Sequence, residues 1–426
     1  MNPTRWQTKY RVKLKPLFMK GLLARNTALT LAILGLRVAT QATALLMLTR
    51  LLGAEVYGSI VSATSLAVVL GILPSMGTGY VMMASAPQRS DAVSHVWQYA
   101  WPLTLGLGFV LLIIYLPVAY VIGGEHSLPL SILLWLGVTE LLLTPLATLS
   151  SHALQANNRV PLSQIVQWLP LGIRALAIFP CFFMTYGARL EGYVVLQLGA
   201  AATGLFVSLA IVNRHCRFNW TPRLISWNEL RNGANYAGMH IIAANPSELD
   251  KIIAPRWISS YDIGVYAVTT RAINALAMPV VAMLLSTQPR LFSHAHHPTD
   301  HGGHLIKRIG ILAGTWGCLS WLMLYVSSPI FPWLFGSSFL MMSQLMPLLA
   351  AVALPLCLRH SAGVILVALG KPTQRMSIEL GGAVTLVLGM AALAPHGGIQ
   401  GLGIALIISE SSMAIAGWHM VYRNTR

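Results

Sequence analysis

Residues 234–257 read ANYAGMHIIAANPSELDKIIAPRW, and whether this stretch crosses a membrane decides the topology of everything after it. It is the least apolar of the segments long enough to span, with Tyr236, His240, Asn245, Pro246, Glu248, Asp250 and Lys251 inside it. The rest of the chain identifies the medium. Of 426 residues, 9% are charged and 55% are hydrophobic, and mean hydropathy is +0.66. A soluble domain carries about 25% charged residues, so this chain cannot coat a water-facing surface, and a soluble enzyme is excluded. A disordered chain is excluded too, because such chains are poor in apolar residues. Lys and Arg number 28 against 12 Asp and Glu, for a net charge of +16. In so apolar a chain this excess reads as cytoplasmic loops, not as a nucleic-acid surface. Cys181, Cys216, Cys318 and Cys357 are scattered, which indicates neither a disulfide framework nor a zinc site.

A bilayer-crossing helix needs about 20 mostly apolar residues. Twelve stretches qualify, at roughly 26–49, 56–83, 97–122, 128–154, 161–186, 191–213, 234–257, 263–289, 309–335, 339–369, 375–394 and 399–422. Runs such as 103–114 do not alternate, so they are helices and not barrel strands. Trp6, Trp97, Trp101, Trp220, Trp227, Trp257 and Trp418 lie near span ends, where indole favours the interface. The first 25 residues hold seven Lys and Arg and no short apolar core with a cleavage site. They read as a cytoplasmic arm on anionic lipid and not as a removable signal peptide.

With the N-terminus inside and span 7 crossing, twenty Lys and Arg fall inside and only Arg50, Arg189 and Arg256 outside. Skipping span 7 would put Arg290, Lys307, Arg308, Lys371, Arg375, Arg423 and Arg426 outside, against the positive-inside rule. The polar segment is therefore expected to cross, with both termini cytoplasmic, and to face water or protein instead of lipid.

The chain also carries an internal duplication. Arg50…Glu55…Gly58 and Arg256…Asp262…Gly264 each open an apolar helix from an outside turn, with the glycines 206 residues apart. Pro74 and Pro279 follow at an offset of 205. Leu154–Arg159 (LQANNR) and Leu366–Lys371 (LVALGK) each close a long helix with a small, basic inside turn. This divides the chain into a basic arm (1–25), an N-terminal lobe of spans 1–6 (26–213), a cytoplasmic linker with four arginines and one glutamate (214–233), and a C-terminal lobe of spans 7–12 (234–422). The fold class is an all-α integral membrane protein of about twelve helices in two six-helix halves around a central cavity. Substrate held between two similar halves is a transporter design.

The run Leu48–Gly58 (LTRLLGAEVYG) resembles the first-loop signature of polysaccharide exporters and O-antigen flippases of the MOP (multidrug/oligosaccharidyl-lipid/polysaccharide) superfamily. Asp250-Lys251, then Asp262–Ala267 (DIGVYA), Arg271 and Pro279 are similar to that family's seventh and eighth spans. The resemblance covers most of the chain by span count and order. It implies an undecaprenyl-diphosphate-linked oligosaccharide as cargo, a bacterial inner membrane, and a polysaccharide polymerase and other assembly proteins as partners. Related lipid II flippases usually have two more C-terminal spans. The drug-exporting branch commonly carries a first-span carboxylate, and span 1 here has no Asp or Glu.

Five basic residues lie at membrane depth: Arg37, Arg174, Lys251, Arg271 and Arg359. Each costs about 2.5–3.5 kcal/mol at a helix centre on insertion scales, so each needs a partner or an aqueous cavity. Asn26, Thr30, Arg37 and Gln41 form one stripe of span 1; Gln164, Gln167 and Arg174 form one of span 5; Arg271 and Asn274 share a face of span 8. Such stripes read as cavity-lining, with interhelical hydrogen bonding as the alternative. Arg37, Gln41, Arg174, Lys251, Arg271, Asn274 and Arg359 are thus the candidate headgroup-binding set, guanidinium being suited to a phosphate in a bidentate fork. Four acids lie equally deep: Glu140, Glu248, Asp250 and Glu410. They are candidates for coupling to a proton or sodium ion, or else partners of the cations. In span 7, Pro246 removes a backbone donor and is expected to break the helix, and broken helices at mid-membrane bind ions or substrate. Glu379 is expected to pair with Arg375 four residues earlier. The histidines of 293–304 lie in an inside loop without ligand spacing, so no metal is expected.

No cofactor or catalytic residue is indicated: outside loops are short, and there is no nucleotide-binding glycine loop. The expectation is a non-enzymatic flippase for a lipid-linked oligosaccharide, working by alternating access, with membrane lipids as surroundings and no nucleic acid. The alternatives are a cation-coupled small-molecule or multidrug exporter of the same fold and, behind it, a membrane polysaccharide polymerase or glycosyltransferase.

Overall fold

The structure is a computed structural model that describes residues 16–86, 92–124, 127–216, 218–231, 233–234, 248–296 and 301–425. Most of the N-terminal arm, residues 235–247 of span 7 with Pro246, and the side chains of Asn26, Thr30 and most of the histidine-rich run lie outside the described residues.

The described chain is helical, and its helices fall into the expected order. Pro16–Leu70 carries spans 1 and 2, divided at Gly53 (φ 75°), and Pro372–Thr425 carries spans 11 and 12, divided at Gly398 (φ 53°). A left-handed φ is costly for any residue with a Cβ, which is why glycine stands at both reversals. Span 3 is Ala92–Gly123, span 6 is Arg189–Cys216 and span 8 is Ser260–His296. Span 4 is interrupted near its middle: Leu130–Val138 passes through a π-helical turn, Thr139–Leu143, into Thr144–Ala156. Among the described residues nine helices are long and apolar enough to cross a membrane, with the first still undivided at Gly53 and the last at Gly398. Together with the short end of span 7, Leu249–Ile253, they make a bundle of twelve helices in two halves of six.

The two basic turns that close spans 4 and 10 have the same backbone form. The turn after span 4 has Asn158 at φ 60°, with Arg159 N–H on Leu154 O (2.9 Å) and Asn158 N–H on Gln155 O (2.9 Å). The turn after span 10 repeats it with Gly370 at φ 72°, Lys371 N–H on Leu366 O (2.9 Å) and Gly370 N–H on Val367 O (3.0 Å). Both are Schellman turns, which satisfy the last carbonyls of a helix and stop it.

The halves meet across the repeated glycines. A Cβ on Gly58 would stand 1.8 Å from Ser260 O, and one on Gly264 would stand 2.0 Å from Ala54 O. Ala54 and Ser260 are themselves 206 residues apart, as Gly58 and Gly264 are. The contact is therefore reciprocal, each half offering the same small-xxx-small surface to the other. Around it, Arg50 Nε and Nη2 donate to Leu334 O (2.9 Å) and Trp333 O (3.0 Å) of the other half. A continuous buried core joins the two halves at this Gly53 end. Toward the Asn158 end the N-terminal half has a separate core of its own, with Met82, Trp97, Leu149, Val166, Val212 and Phe218. Trp97 is one departure from expectation. Instead of sitting at the interface it is fully buried, stacked on Phe218 at 4.7 Å and edge-on to Trp220 at 5.3 Å. The linker folds back over it, with Arg223 N–H on Gln98 O (3.0 Å). The linker then starts a helical turn on a capping box: Ser226 N–H donates to Glu229 Oε2 (3.0 Å) and Glu229 N–H to Ser226 Oγ (3.4 Å).

Candidate functional site

A cavity of about 440 Å³ lies within the N-terminal half, walled by spans 1, 2, 4, 5 and 6. Its polar lining is Arg37 and Gln41 from span 1, Tyr80 from span 2, Thr139, Glu140, Thr144, Thr148 and His152 from span 4, Gln167 and Arg174 from span 5, and Gln197 from span 6. Span 4 supplies most of it because its π-turn begins at Thr139 and carries Glu140. An extra residue in a helical turn shifts the faces that follow it, and such turns are frequent at functional sites.

The two arginines are held by neutral partners. Arg37 Nη1 donates to Gln167 Oε1 (3.0 Å), and Gln167 Nε2 donates to Ser151 Oγ (2.6 Å). Arg174 donates through Nε and Nη2 to the Tyr193 hydroxyl (3.2 and 3.0 Å). Its one acidic partner in the cavity, Glu140, stands 3.6 Å from Nη1, beyond ordinary hydrogen-bond length. The cavity thus has two guanidinium groups and one carboxylate on its wall, an arrangement that favours an anion. Of the sequence candidates, Arg37, Gln41, Arg174 and Glu140 come together here.

The others lie elsewhere. Arg271 donates to the Tyr57 hydroxyl and lies over its ring (5.6 Å to the centroid), bridging spans 8 and 2 between the halves. Ser65, two turns along span 2, donates to Glu248 Oε2 (2.6 Å) of span 7. Lys251 is 3% exposed, 3.0 Å from Asp250 Oδ1 and 3.8 Å from Glu248 Oε2. Asp250 Oδ2 also accepts from the Tyr266 hydroxyl (2.8 Å). Arg359 is enclosed between two carboxylates, Nη1 on Glu379 (2.6 Å) and Nε against Glu410 (2.8 Å). Lys251 and Arg359 therefore stand in ion clusters within the C-terminal half and not on the wall of this cavity. Glu379 does approach Arg375, at 3.9 Å, but its close partner is Arg359, twenty residues away. Asn274 borders a small cleft of about 20 Å³ with Asp250, Thr270 and Glu410, room for about one water molecule.

Sequence reasoning gave no site role to Tyr57, Tyr193, Tyr266, Ser65, His152 or Gln197, although Tyr57 and Tyr266 stand inside the two signature runs. Gln197 left the clearest trace, as a polar residue between Leu196 and Leu198.

No family model matches the chain, and no curated protein matches it. Solved structures do. An inward-facing multidrug resistance MATE family transporter of the MOP superfamily superposes with a TM-score of 0.77 at 14% identity, over 91% of this chain and 94% of that one. The lipid II flippase MurJ in its inward closed conformation gives 0.72 at 12% identity, over 93% and 87%. An outward-facing MATE family transporter gives 0.60 at 13% identity, over 94% and 95%. At such identities the likeness is one of fold: this chain has the architecture of MOP-superfamily transporters and flippases.

Proposed function

We propose that this protein is a flippase that moves an undecaprenyl-diphosphate-linked oligosaccharide, a polysaccharide or O-antigen repeat unit, across the bacterial inner membrane. The observation that carries the reading is the cavity wall, where Arg37 and Arg174 meet a single acid, Glu140. A drug exporter of the same fold that takes cations would need the opposite balance. A lipid-linked cargo has a precedent in this fold in the lipid II flippase.

The physical task is to carry a sugar–diphosphate headgroup past about 30 Å of hydrocarbon. A wet cavity removes the desolvation cost, guanidinium forks hold the phosphates, and the lipid tail stays in the bilayer. Lys and Arg are concentrated at the Asn158 end of the bundle, which makes that end cytoplasmic by the positive-inside rule. The reciprocal glycine contact closes the other end, and the better superposition on the inward-facing transporter (0.77 against 0.60) supports the same state. Outward movement of an anion is helped by an inside-negative potential, by about 2.3 kcal/mol per charge per 100 mV. Glu140, Glu248, Asp250 and Glu410 are the groups available for coupling to an ion. The Asp250–Glu410 cleft suits at most one small one.

The test is deletion of the gene, followed by analysis of lipid-linked sugars on the inner leaflet. The expected result is accumulation of one such intermediate and loss of surface polymer. Wild-type protein restores export, and Arg37→Ala or Arg174→Ala inserts normally but does not. Full export by the arginine variants would refute the anion-cavity reading.

A further inference from the structure

The middle of span 6 carries one side-chain amide, Gln197, while the hydroxyls of Thr203 and Ser208 are satisfied by carbonyls one turn back. Gln197 is 1% exposed, and neither its amide oxygen nor its amide nitrogen has a hydrogen-bond partner. It lies on the wall of the cavity that Arg37 and Arg174 share. A buried polar group left unpaired is costly and calls for an explanation. At bilayer depth the amide gains nothing from packing that a leucine would not supply.

Its neighbours suggest the explanation. Tyr193, four residues earlier on the same helical face, is the residue whose hydroxyl takes both bonds from Arg174. One helical turn, about 5.4 Å, separates the tyrosine that holds the cation from the unpaired amide. A primary amide sets one acceptor beside two donors. A vicinal diol on a sugar ring offers a donor and an acceptor at a matching separation, and Thr139 and Thr144 add hydroxyls to the same lining. An anion-holding group followed at one turn by a neutral donor–acceptor pair fits a sugar phosphate, with the phosphate toward Arg174 and the ring toward span 6.

We propose that Gln197 is a specificity residue that hydrogen-bonds a pair of ring hydroxyls on the sugar whose phosphate Arg174 holds. The proposal deepens the flippase reading and rests on its anion cavity.

The experiment uses the full chain in lipid nanodiscs and measures binding of glucose 1-phosphate and cyclohexyl phosphate, two esters of similar size, one with ring hydroxyls and one without. Wild type is expected to prefer glucose 1-phosphate by about tenfold, the scale of two net hydrogen bonds. Gln197→Met should reduce that preference to about one. It should bind cyclohexyl phosphate as wild type does and melt no lower, since the orphan amide is gone. Retained binding of cyclohexyl phosphate shows that the variant is folded. An undiminished sugar preference in Gln197→Met would overturn the assignment while leaving the anion cavity standing, and the amide would then serve a buried water. If wild type binds neither ester and Arg174→Gln changes nothing, the anion reading itself fails, and this proposal with it.

Discussion

A single methyl group added at Gly264 should pry the two halves apart at one end. In Gly264→Ala the new Cβ would stand 2.0 Å from Ala54 O, a backbone atom that cannot swing aside, and an ordinary contact begins near 3.4 Å. The helices must therefore separate by about 1.4 Å, or by about 1.6 Å for Gly58→Ala against Ser260 O at 1.8 Å. Overpacking of this kind costs roughly 1–3 kcal/mol. The cost falls only on the state in which spans 2 and 8 touch. The ratio of closed to open forms at that end should then drop by roughly 5- to 150-fold. Nitroxides at Glu55→Cys and Ser259→Cys, both exposed beside the contact, report the separation by pulsed dipolar spectroscopy once the native cysteines are replaced. Gly264→Ala should populate a longer distance and slow export. Gly381→Ala is the control, because nothing lies within 4 Å of its would-be Cβ. An unchanged distance distribution with normal export in both glycine variants would refute the reasoning, showing that the joint absorbs a methyl without parting.

Three further outcomes follow from the ion clusters and the linker. Arg359→Met leaves Glu379 and Glu410 buried without their shared cation, 5% and 4% exposed. It should destabilise by about 3–5 kcal/mol in detergent melts, with most of the loss recovered when both glutamates become glutamine. Lys251→Met strands Asp250, 1% exposed, and should lose a similar amount, recovered in the double variant with Asp250→Asn; a double-mutant cycle with no coupling would dismiss the pair. In the linker, burial pushes the Glu229 carboxyl up, but hydrogen bonds from Ser226 and Arg223 outweigh it and hold the group below the usual carboxylate range. A depressed folded value means that its contribution is present above the ordinary unfolded value of about 4.3 and is lost as pH falls through the folded one. Proteolysis of the linker should accelerate in wild type only as pH falls below the ordinary carboxylate range, and already at neutral pH in Glu229→Gln.

The residues legible in the sequence were those whose cue is local or periodic. Apolar runs marked the helices and their order, and the spacing of Gly58 and Gly264 marked a repeated position, although not that the two glycines touch. Turn chemistry was equally legible: Asn158 and Gly370 each sit where a helix must stop, and both adopt the left-handed φ that stops it. Partnerships across the bundle were not legible. Arg375 and Glu379 look paired because they are one turn apart, yet Glu379 binds Arg359, and Glu410 arrives from span 12. Nothing in hydropathy marks the π-turn at Thr139–Leu143, which turns span 4 toward the cavity. Trp97 carries an interfacial signature, but residues 218–220 of the linker cover it.

The two halves share the turns and the glycine contact described above and differ in their buried charges. In the C-terminal half, Lys251 lies between Asp250 and Glu248, and Arg359 lies between Glu379 and Glu410, so these two cations, unlike Arg271, each have two acids within 4 Å. Pairs this tight hold helices together but have little charge left for a headgroup. In the N-terminal half, Arg37 rests on an amide and Arg174 on a phenol, with Glu140 at 3.6 Å. An arginine so lightly compensated is tolerable at bilayer depth only beside water or an anion, since on a lipid-facing helix it costs about 2.5–3.5 kcal/mol. The joint between the halves shows no such asymmetry: Gly58 meets Ser260 as Gly264 meets Ala54. The reciprocal contact lies at the Gly53 end alone, so the asymmetry of the molecule lies in its buried charges and not in this joint. On the proposed function, the headgroup would then stay with the N-terminal half as the halves rock, and Arg271, tied to Tyr57 across the gap, would be the cation whose surroundings change most when they part.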